Sequence, residues 1–320
     1  MPGVARAPGK LVLSGAYSVL EGAPAIVAAV DRFATADAGR AADRVTDEVR
    51  AAIEAGVLER APWFDASPLR CAAPTADDPA ATRKLGLGSS AAILVASIAA
   101  CIAEAPRDEG ALRRLVLDRA LAAHRRAQHG GSGVDVAASV HGGVVACRIL
   151  GPASSGPLAR TGDLQVQPHA LPAAVVLRVF ASRTEAKTST MLAQVRDHAR
   201  ARAADYDRAM ARAIAGAEAA LAARDVASFV AALTCQALAL AELGRAAGAP
   251  IVTPDVERLA LVAAEEGAAF VPSGAGGGDI ALYVGPAEPS AELVARALEE
   301  GLYRLEIAVG ARGVHRMPIG

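Results

Sequence analysis

The amino-acid sequence predicts an α+β protein, because strand-like apolar runs alternate along the chain with longer helical stretches rich in alanine and arginine. The chain has 320 residues, of which 53% are hydrophobic and 21% are charged. This composition is typical of a globular protein, and the length suffices for one large or two moderate domains. Since aromatic residues make up only 3% of the chain, we expect a core of Ala, Val, Leu and Ile.

Apolar content and turn residues place the individual elements in order. Strands are predicted at 10–15, 25–35, 173–181, 280–284 and 305–309, and helices at 46–60, 91–104, 109–128, 188–224, 226–246, 254–266 and 290–301. Segment 74–79 is rich in Pro and Asp and predicts a surface loop. A second loop, 151–162, is rich in Gly, Pro and Ser, joins two strand-like runs, and lies near the expected domain boundary.

Charge and apolar patterning argue against several classes of partner. The formal net charge is −1 and no basic run interleaves with aromatic residues, so no nucleic-acid partner is expected. The longest strongly apolar stretch, 91–103, is too short to span a bilayer, and no basic region precedes an apolar signal segment. We therefore expect a cytoplasmic protein without membrane partners. The cysteines show neither CxxC spacing nor paired histidines, which favours reduced thiols.

The most informative motif is segment 84–92, with the sequence KLGLGSSAA. Glycine lets the backbone approach a ligand closely, and the helix predicted from Ala91 would offer its free N–H groups and positive dipole end to an anion. The segment matches neither the P-loop nor the GxGxxG fingerprint. It therefore predicts a phosphate-binding loop of another design, although a Gly-Ser turn at the start of an ordinary buried helix would have a similar sequence.

Two further elements have related chemistry. Segment 272–279, PSGAGGGD, places four glycines within five residues before a strand, which favours backbone packed closely against a phosphoryl group. Near the amino terminus, segment 7–17 has Lys10 at the start of an apolar strand and Gly15 at its end. By itself, a lysine in such a position is usually a solvated strand end.

Together and in this order, the three motifs resemble those of the GHMP kinases, the superfamily of galactokinase, homoserine kinase, mevalonate kinase and phosphomevalonate kinase. Within it, the chain is most similar to bacterial phosphomevalonate kinases, in segments 7–11, 29–32, 84–90, 131–138, 188–192 and 273–279. The resemblance implies an S5-like amino-terminal domain, 1–165, and a ferredoxin-like carboxy-terminal domain, 166–320, with the active site between them. It also implies ATP and Mg²⁺, a small phosphorylated acceptor, and a monomer or homodimer.

The resemblance also assigns site residues. Lys10 and Asp135 would be catalytic, and the Ser90 hydroxyl would be a Mg²⁺ ligand. The nucleotide would be held by Lys84, Gly86, Leu87, Gly88, Ser89, Ser90, Gly274, Ala275, Gly276, Gly277 and Gly278. The acceptor would contact Ser14, Tyr17, Ser132, Gly133, Lys187, Thr188 and Ser189. The implied reaction converts (R)-5-phosphomevalonate and ATP into the 5-diphosphate and ADP.

Departures from the family pattern keep alternatives open. Ala16 stands where relatives usually carry a glutamate, and His124 lies where mevalonate kinases carry a magnesium-binding glutamate. Arg183 is a further candidate for the acceptor's phosphate, and an alternative role for Asp135 is the N-cap of a helix starting near Val136. The alternatives are a GHMP kinase for another acceptor such as mevalonate, and a GHMP-fold sensor that binds a metabolite without turnover.

Overall fold

The structure, a computed structural model, describes residues 3–72, 82–104, 106, 108–128, 131–151, 156–158, 162–182 and 188–318. Its strands are β1 Val4–Ser14, β2 Ala25–Ala41, β3 Pro62–Asp65, β4 Arg70–Ala72, β5 Thr82–Lys84, β6 Val144–Leu150, β7 Asp163–Pro168, β8 Val176–Ala181, β9 Ala269–Pro272, β10 Ile280–Gly285, β11 Tyr303–Leu305 and β12 His315–Arg316. Its α-helices are α1 Asp47–Glu54, α2 Ser89–Cys101, α3 Glu109–Ala127, α4 Val134–His141, α5 Thr188–Ala201, α6 Ala203–Ala222, α7 Val226–Ala247, α8 Pro254–Glu265 and α9 Ala291–Glu299. Short 3₁₀ helices lie at Ser18–Glu21 and Ser67–Leu69.

The strands form two main antiparallel sheets. The first has the order β12-β1-β2-β6-β7, with β3 also paired to β2, and the second has the order β11-β8-β10-β9. β12 pairs with β1, and Val309 forms an isolated bridge with Val30, so the carboxy-terminal segment returns to the first sheet. The α+β prediction is confirmed.

Helix α2 lies at the centre of the larger core. It is apolar on all sides, as expected for a helix buried on every face, and it packs against β1 and β2. A second apolar cluster joins the 3₁₀ helix 18–21 to α5, α6 and α7. The long helix α7 is the one helix of the described chain that is long and apolar enough to cross a membrane, and half of its most apolar window is buried inside the fold.

Several predicted element bounds were wrong. The helix predicted at 46–60 ends at Glu54 and is followed by Gly56, whose φ of +70° is left-handed. The helix predicted at 188–224 is divided at Arg202, whose φ of −140° and ψ of 56° are not helical. Strand β11 ends at Leu305, where the prediction began, because the following segment leaves the second sheet for the first. The predicted loop 74–79 lies outside the described residues.

Candidate active site

A cleft of about 440 Å³ collects most of the residues that the sequence singled out. Its size is within the range usual for small-molecule sites. The predicted residues that line it are Lys10, Tyr17, Lys84, Gly86, Gly88, Ser89, Ser90, Ser132, Gly133, Asp135, Thr188, Ser189, Gly274, Ala275 and Gly276. The two sheets, the amino termini of α2 and α4, and the start of α5 therefore meet at one place.

One end of the cleft is built to receive an anion. Helix α2 begins after Gly88, which has a left-handed φ of 71° and caps the helix without any side-chain hydrogen bond. Its first backbone N–H groups therefore have no partner within the helix and lie beside the cleft, where they and the helix dipole favour negative charge. A Cβ added to Gly88 would lie 2.9 Å from Cε of Lys10. Position 88 therefore needs glycine for two reasons: glycine adopts the left-handed φ readily, and its lack of a Cβ leaves room for the Lys10 side chain.

Lys10 and Asp135 form an ion pair in the cleft. The distance from Lys10 Nζ to Asp135 Oδ2 is 3.6 Å, and Nζ also donates a hydrogen bond to the carbonyl of Gly86 at 3.4 Å. Lys10 is 7% exposed, and its backbone N–H donates to the carbonyl of Leu87 at 2.9 Å. Lysine is rarely buried unless it is paired, and here the carboxylate of Asp135 is the partner. This cation is therefore fixed beside the anion-binding end.

Asp135 lies inside helix α4 and is not its N-cap. The helix begins at Val134, and Gly133 caps it with a left-handed φ of 74°. The interpretation of Asp135 as the N-cap was wrong, because glycine takes that position and leaves the carboxylate in the first turn. The Asp135 side chain is 33% exposed and lines the cleft. It can therefore reach both Lys10 and a bound ligand.

The second lysine of the cleft contacts a predicted metal ligand. Lys84 Nζ lies 3.4 Å from Oγ of Ser90 and donates to it. Ser90 is the second residue of α2, so its hydroxyl stands at the helix start. Both groups thus lie at the end of the cleft where α2 begins.

The glycine-rich segment 274–278 forms the opposite wall. Four of its residues are glycines with positive φ, between 76° and 91°. The preceding Ser273 fixes it to β1, since its Oγ accepts from the N–H of Val12 at 3.0 Å and donates to the Val12 carbonyl at 3.1 Å. At Gly276 an added Cβ would collide with the backbone of Ile251. The segment is therefore held in a conformation that other residues would not adopt.

Tyr17 joins this wall to the amino-terminal half. It has an unusual positive φ of 60°, is 4% exposed, and donates a hydrogen bond from its hydroxyl to the carbonyl of Ala275 at 2.9 Å. Burial raises the pKa of Tyr17 above its ordinary value, so the hydroxyl stays protonated. Backbone strain at a non-glycine residue is common at functional sites.

The side of the cleft lined by the 3₁₀ helix 18–21 and α5 is mainly apolar. Ala16, Val19 and Leu20 line it from the amino-terminal half, and Leu192 lines it from α5. The exposed hydroxyl residues Thr188 and Ser189 lie at its rim, where α5 begins. Lys187 and Arg183, the cations predicted for the acceptor's phosphate, lie outside the described residues.

Four predicted contacts do not line the cleft. Ser14 is 2% exposed and donates to Oε1 of Gln236 at 3.3 Å, and Leu87 is 1% exposed in the core. Gly277 donates its N–H to the carbonyl of Ile251 at 3.3 Å, and Gly278 also lies away from the cleft. A residue next to a cleft in sequence can face the other side of the backbone, as Ser14 and Gly277 do.

The sequence interpretation assigned no role to several lining residues, chiefly His124, Gln128, Ser273 and Asp279. His124, in the last turn of α3, and Gln128, which caps the end of that helix, are four residues apart and so lie on the same side. The four-residue spacing of His124 and Gln128, just before the glycine-rich segment 131–133, was the sequence signal that could have placed them at the site. Gln128 donates to the buried carboxylate of Glu48 at 2.9 Å. Burial lowers the pKa of His124 below its ordinary value, although the charges of Asp135 and Glu48 act in the opposite direction.

Known proteins share this architecture. The GHMP kinases N-terminal domain model matches residues 78–143, which include the start of α2 and Asp135. No curated protein matches the chain in sequence. Among solved structures, the chain is similar to the Lin0012 protein from Listeria innocua, with 21% identity, a TM-score of 0.72, and coverage of 98% of this chain and 99% of that one.

Two further structures are kinases. The chain is similar to Streptococcus pneumoniae phosphomevalonate kinase in complex with phosphomevalonate and AMPPNP, with 17% identity, a TM-score of 0.69, and coverage of 96% of this chain and 99% of that one. It is also similar to L. major mevalonate kinase in complex with R-mevalonate, with 16% identity, a TM-score of 0.61, and coverage of 95% of each chain. At these identities the likeness shows the fold, which is that of the GHMP kinases.

Proposed function

We propose that this chain, in which residues 78–143 match the GHMP kinases N-terminal domain and whose fold is that of the GHMP kinases, transfers the γ-phosphoryl group of ATP to a small-molecule acceptor. The observation that carries the proposal is the Lys10–Asp135 ion pair, 3.6 Å long, in a cleft where the amino termini of α2 and α4 converge. Phosphoryl transfer requires mainly positioning and cations that offset negative charge. This cleft supplies both.

The nucleotide phosphates would lie against the start of α2 and segment 274–276. The unpartnered N–H groups of α2 would bind phosphate oxygens, and Lys84 would add a second cation. The residues also fit Mg²⁺, which takes oxygen ligands and usually retains waters, with the Ser90 hydroxyl and substrate phosphates as ligands. Bound there, Mg²⁺ would neutralise phosphate charge. Among the described residues no group of three metal-ligating side chains occurs, so the substrate would have to complete such a site.

Lys10 and Asp135 would act at the reacting group. Asp135 and the Gly86 carbonyl hold Lys10 Nζ in the cleft. There Nζ would bind the oxygens of the phosphoryl group during its transfer. Asp135 would orient the acceptor and hold Lys10 in place. In the transfer, the bond between the γ-phosphorus and the bridging oxygen of ADP breaks, and a bond from the acceptor oxygen to that phosphorus forms.

For the acceptor we propose (R)-5-phosphomevalonate, with the 5-diphosphate as product. Support comes from the family motifs and from the fold shared with a phosphomevalonate kinase. In the described cleft, the apolar wall of Val19, Leu20 and Leu192 would receive a short carbon skeleton, and the hydroxyls of Thr188 and Ser189 would bind polar groups. Mevalonate is the second candidate, because Ala16 removes a carboxylate that phosphomevalonate kinases usually carry at this wall.

The test is ADP release by the purified protein with Mg·ATP, offered phosphomevalonate and mevalonate in parallel. Asp135→Ala and Lys10→Ala serve as inactive controls, with their folding checked by thermal melting. Turnover confined to phosphomevalonate supports the proposal. Turnover confined to mevalonate would correct the acceptor, and nucleotide binding without turnover on either acceptor would favour a sensor.

A further inference from the structure

His124 is a buried polar group of the cleft that the proposed transfer does not use. Its ring lines the cleft from α3, between the elements that carry Ser90 and Asp135, since α3 packs against both α2 and α4. Nδ1 is buried and has no hydrogen-bond partner among the residues that the structure describes. A native structure rarely leaves a buried polar atom unpaired, and such groups often mark functional sites.

The unpaired nitrogen decides how the ring is protonated. A proton on Nδ1 would bury an N–H group without an acceptor, which is the more costly kind of unsatisfied group. The proton of the neutral ring therefore belongs on Nε2. Nε2 is the ring atom nearest to Gly131 of the cleft lining, 3.9 Å from the position that a Cβ of Gly131 would take. His124 thus presents an N–H donor to the cleft.

Charge neutrality at this position matters for the neighbouring ion pair. A protonated His124 would compete with Lys10 for Asp135, whose charge acts on both groups. A neutral donor leaves the Lys10–Asp135 pair intact and still offers a hydrogen bond to an anionic oxygen. It also leaves no lone pair facing the cleft, because Nδ1 is buried and Nε2 carries the proton. The ring is therefore a ligand for an oxyanion and not for Mg²⁺.

We propose that His124 binds the phosphoryl group being transferred, by donating a hydrogen bond from Nε2 as a neutral imidazole. This inference rests on the proposed kinase function, since it identifies the ligand of the ring as an oxygen of the nucleotide's terminal phosphoryl group. It adds a neutral donor to the cations Lys10 and Lys84.

The first test does not depend on turnover. In ¹⁵N-histidine NMR spectra at pH 7, with the His124 signals assigned by their loss in His124→Asn, we expect the neutral Nε2–H tautomer. Addition of Mg·AMPPNP should shift the Nε2 resonance, whereas Mg·ADP, which lacks the terminal phosphoryl group, should shift it much less. An imidazolium, an Nδ1–H tautomer, or equal shifts with both nucleotides would overturn the proposal.

The second test is kinetic. His124→Leu removes the donor at similar size and should lower kcat about 100-fold, the lower end of the usual cost of losing one donor to a transition-state oxyanion. His124→Asn keeps an N–H donor and should retain more activity than His124→Leu. The control is His141→Asn, since His141 also has a buried unpaired nitrogen but does not line the cleft. Equal kcat in His124→Leu and the unmodified protein would contradict the proposal.

The two tests separate the two hypotheses. If no acceptor is phosphorylated, the kinase proposal fails while the NMR shift with Mg·AMPPNP still decides whether His124 binds the terminal phosphoryl group. If turnover occurs but the Nε2 resonance of His124 does not shift on addition of Mg·AMPPNP, the kinase proposal stands and the role of His124 is refuted.

Discussion

The hydroxyl of Tyr17 donates a hydrogen bond to the carbonyl of Ala275 at 2.9 Å, across 258 positions of sequence. This bond connects the turn after β1 with the glycine-rich wall of the cleft. Tyr17 was predicted to contact the acceptor, but its polar atom is already used by the protein. We therefore expect Tyr17 to contribute to the site by holding segment 274–276 in position.

Removal of that hydroxyl should loosen the glycine-rich wall. In Tyr17→Phe, we expect a stability loss of about 1 kcal/mol, the typical net contribution of one hydrogen bond, together with a raised KM for ATP. Both are measurable by denaturant unfolding and steady-state kinetics. Tyr283→Phe is the matched control, because Tyr283 is also buried and donates to Glu266 at 2.9 Å, away from the cleft. A KM change of the same size in both variants would refute the positioning role.

Lys10 should matter more to the rate than Asp135. A phosphate acceptor is already ionised at neutral pH, so it has little need of a base, whereas the transferring group needs its cation. We expect Lys10→Met to lower kcat about 100- to 1000-fold and Asp135→Asn to lower it less. Single-turnover kinetics of the two variants check this. A larger loss in Asp135→Asn would instead indicate an alcohol acceptor that needs proton removal.

Gly88 should tolerate no side chain. Gly88→Ala is expected to cost about 1 kcal/mol of stability from its positive φ and to displace Lys10, because the new Cβ would lie 2.9 Å from Lys10 Cε. Gly56→Ala reproduces the first effect alone, since Gly56 has nearly the same φ, +70°, and a Cβ added there would meet no atom of the described residues within 4 Å beyond its chain neighbours. Thermal melting should show similar losses in both variants, while only Gly88→Ala loses ADP release. Full activity in Gly88→Ala would contradict the assigned contact.

Stability should fall on acidification below about pH 6.5, the ordinary pKa of histidine. Burial lowers the pKa of His124 and of His141, so the unfolded chain binds protons more readily than the folded one over this range. The loss continues until pH falls below the lowered folded-state pKa values. Urea unfolding at pH 7.5 and 5.5 measures it, and His124→Asn should reduce the difference. If the difference between the unfolding free energies at pH 7.5 and pH 5.5 is unchanged in His124→Asn, other groups cause the acid sensitivity.

The sequence predicted the α+β class, the core helix at 91–104 and the phosphate-binding loop before it. Each depends on local chemistry: the apolar content of α2, the φ freedom of Gly86 and Gly88, and the free N–H groups of a helix start. The bounds of β11 and the break at Arg202 were not predicted, because they depend on which sheet or helix the following segment packs against. The domain division at 165 and 166 stays a prediction.

Tertiary structure alone decided which residues face the cleft. Ser14 and Tyr17 lie three residues apart in sequence, yet Ser14 hydrogen-bonds Gln236 in the interior while Tyr17 lines the cleft. Likewise, the sequence placed His124 only by its likeness to a magnesium-binding position of mevalonate kinases, and the packing of α3 against α2 and α4 brings it to the cleft that Asp135 also lines. Glycines and helix starts encode their chemistry locally, whereas the direction of a side chain and the burial of its polar atoms depend on how separate elements pack, as in the hydrogen bond between Ser14 and Gln236 across 222 positions.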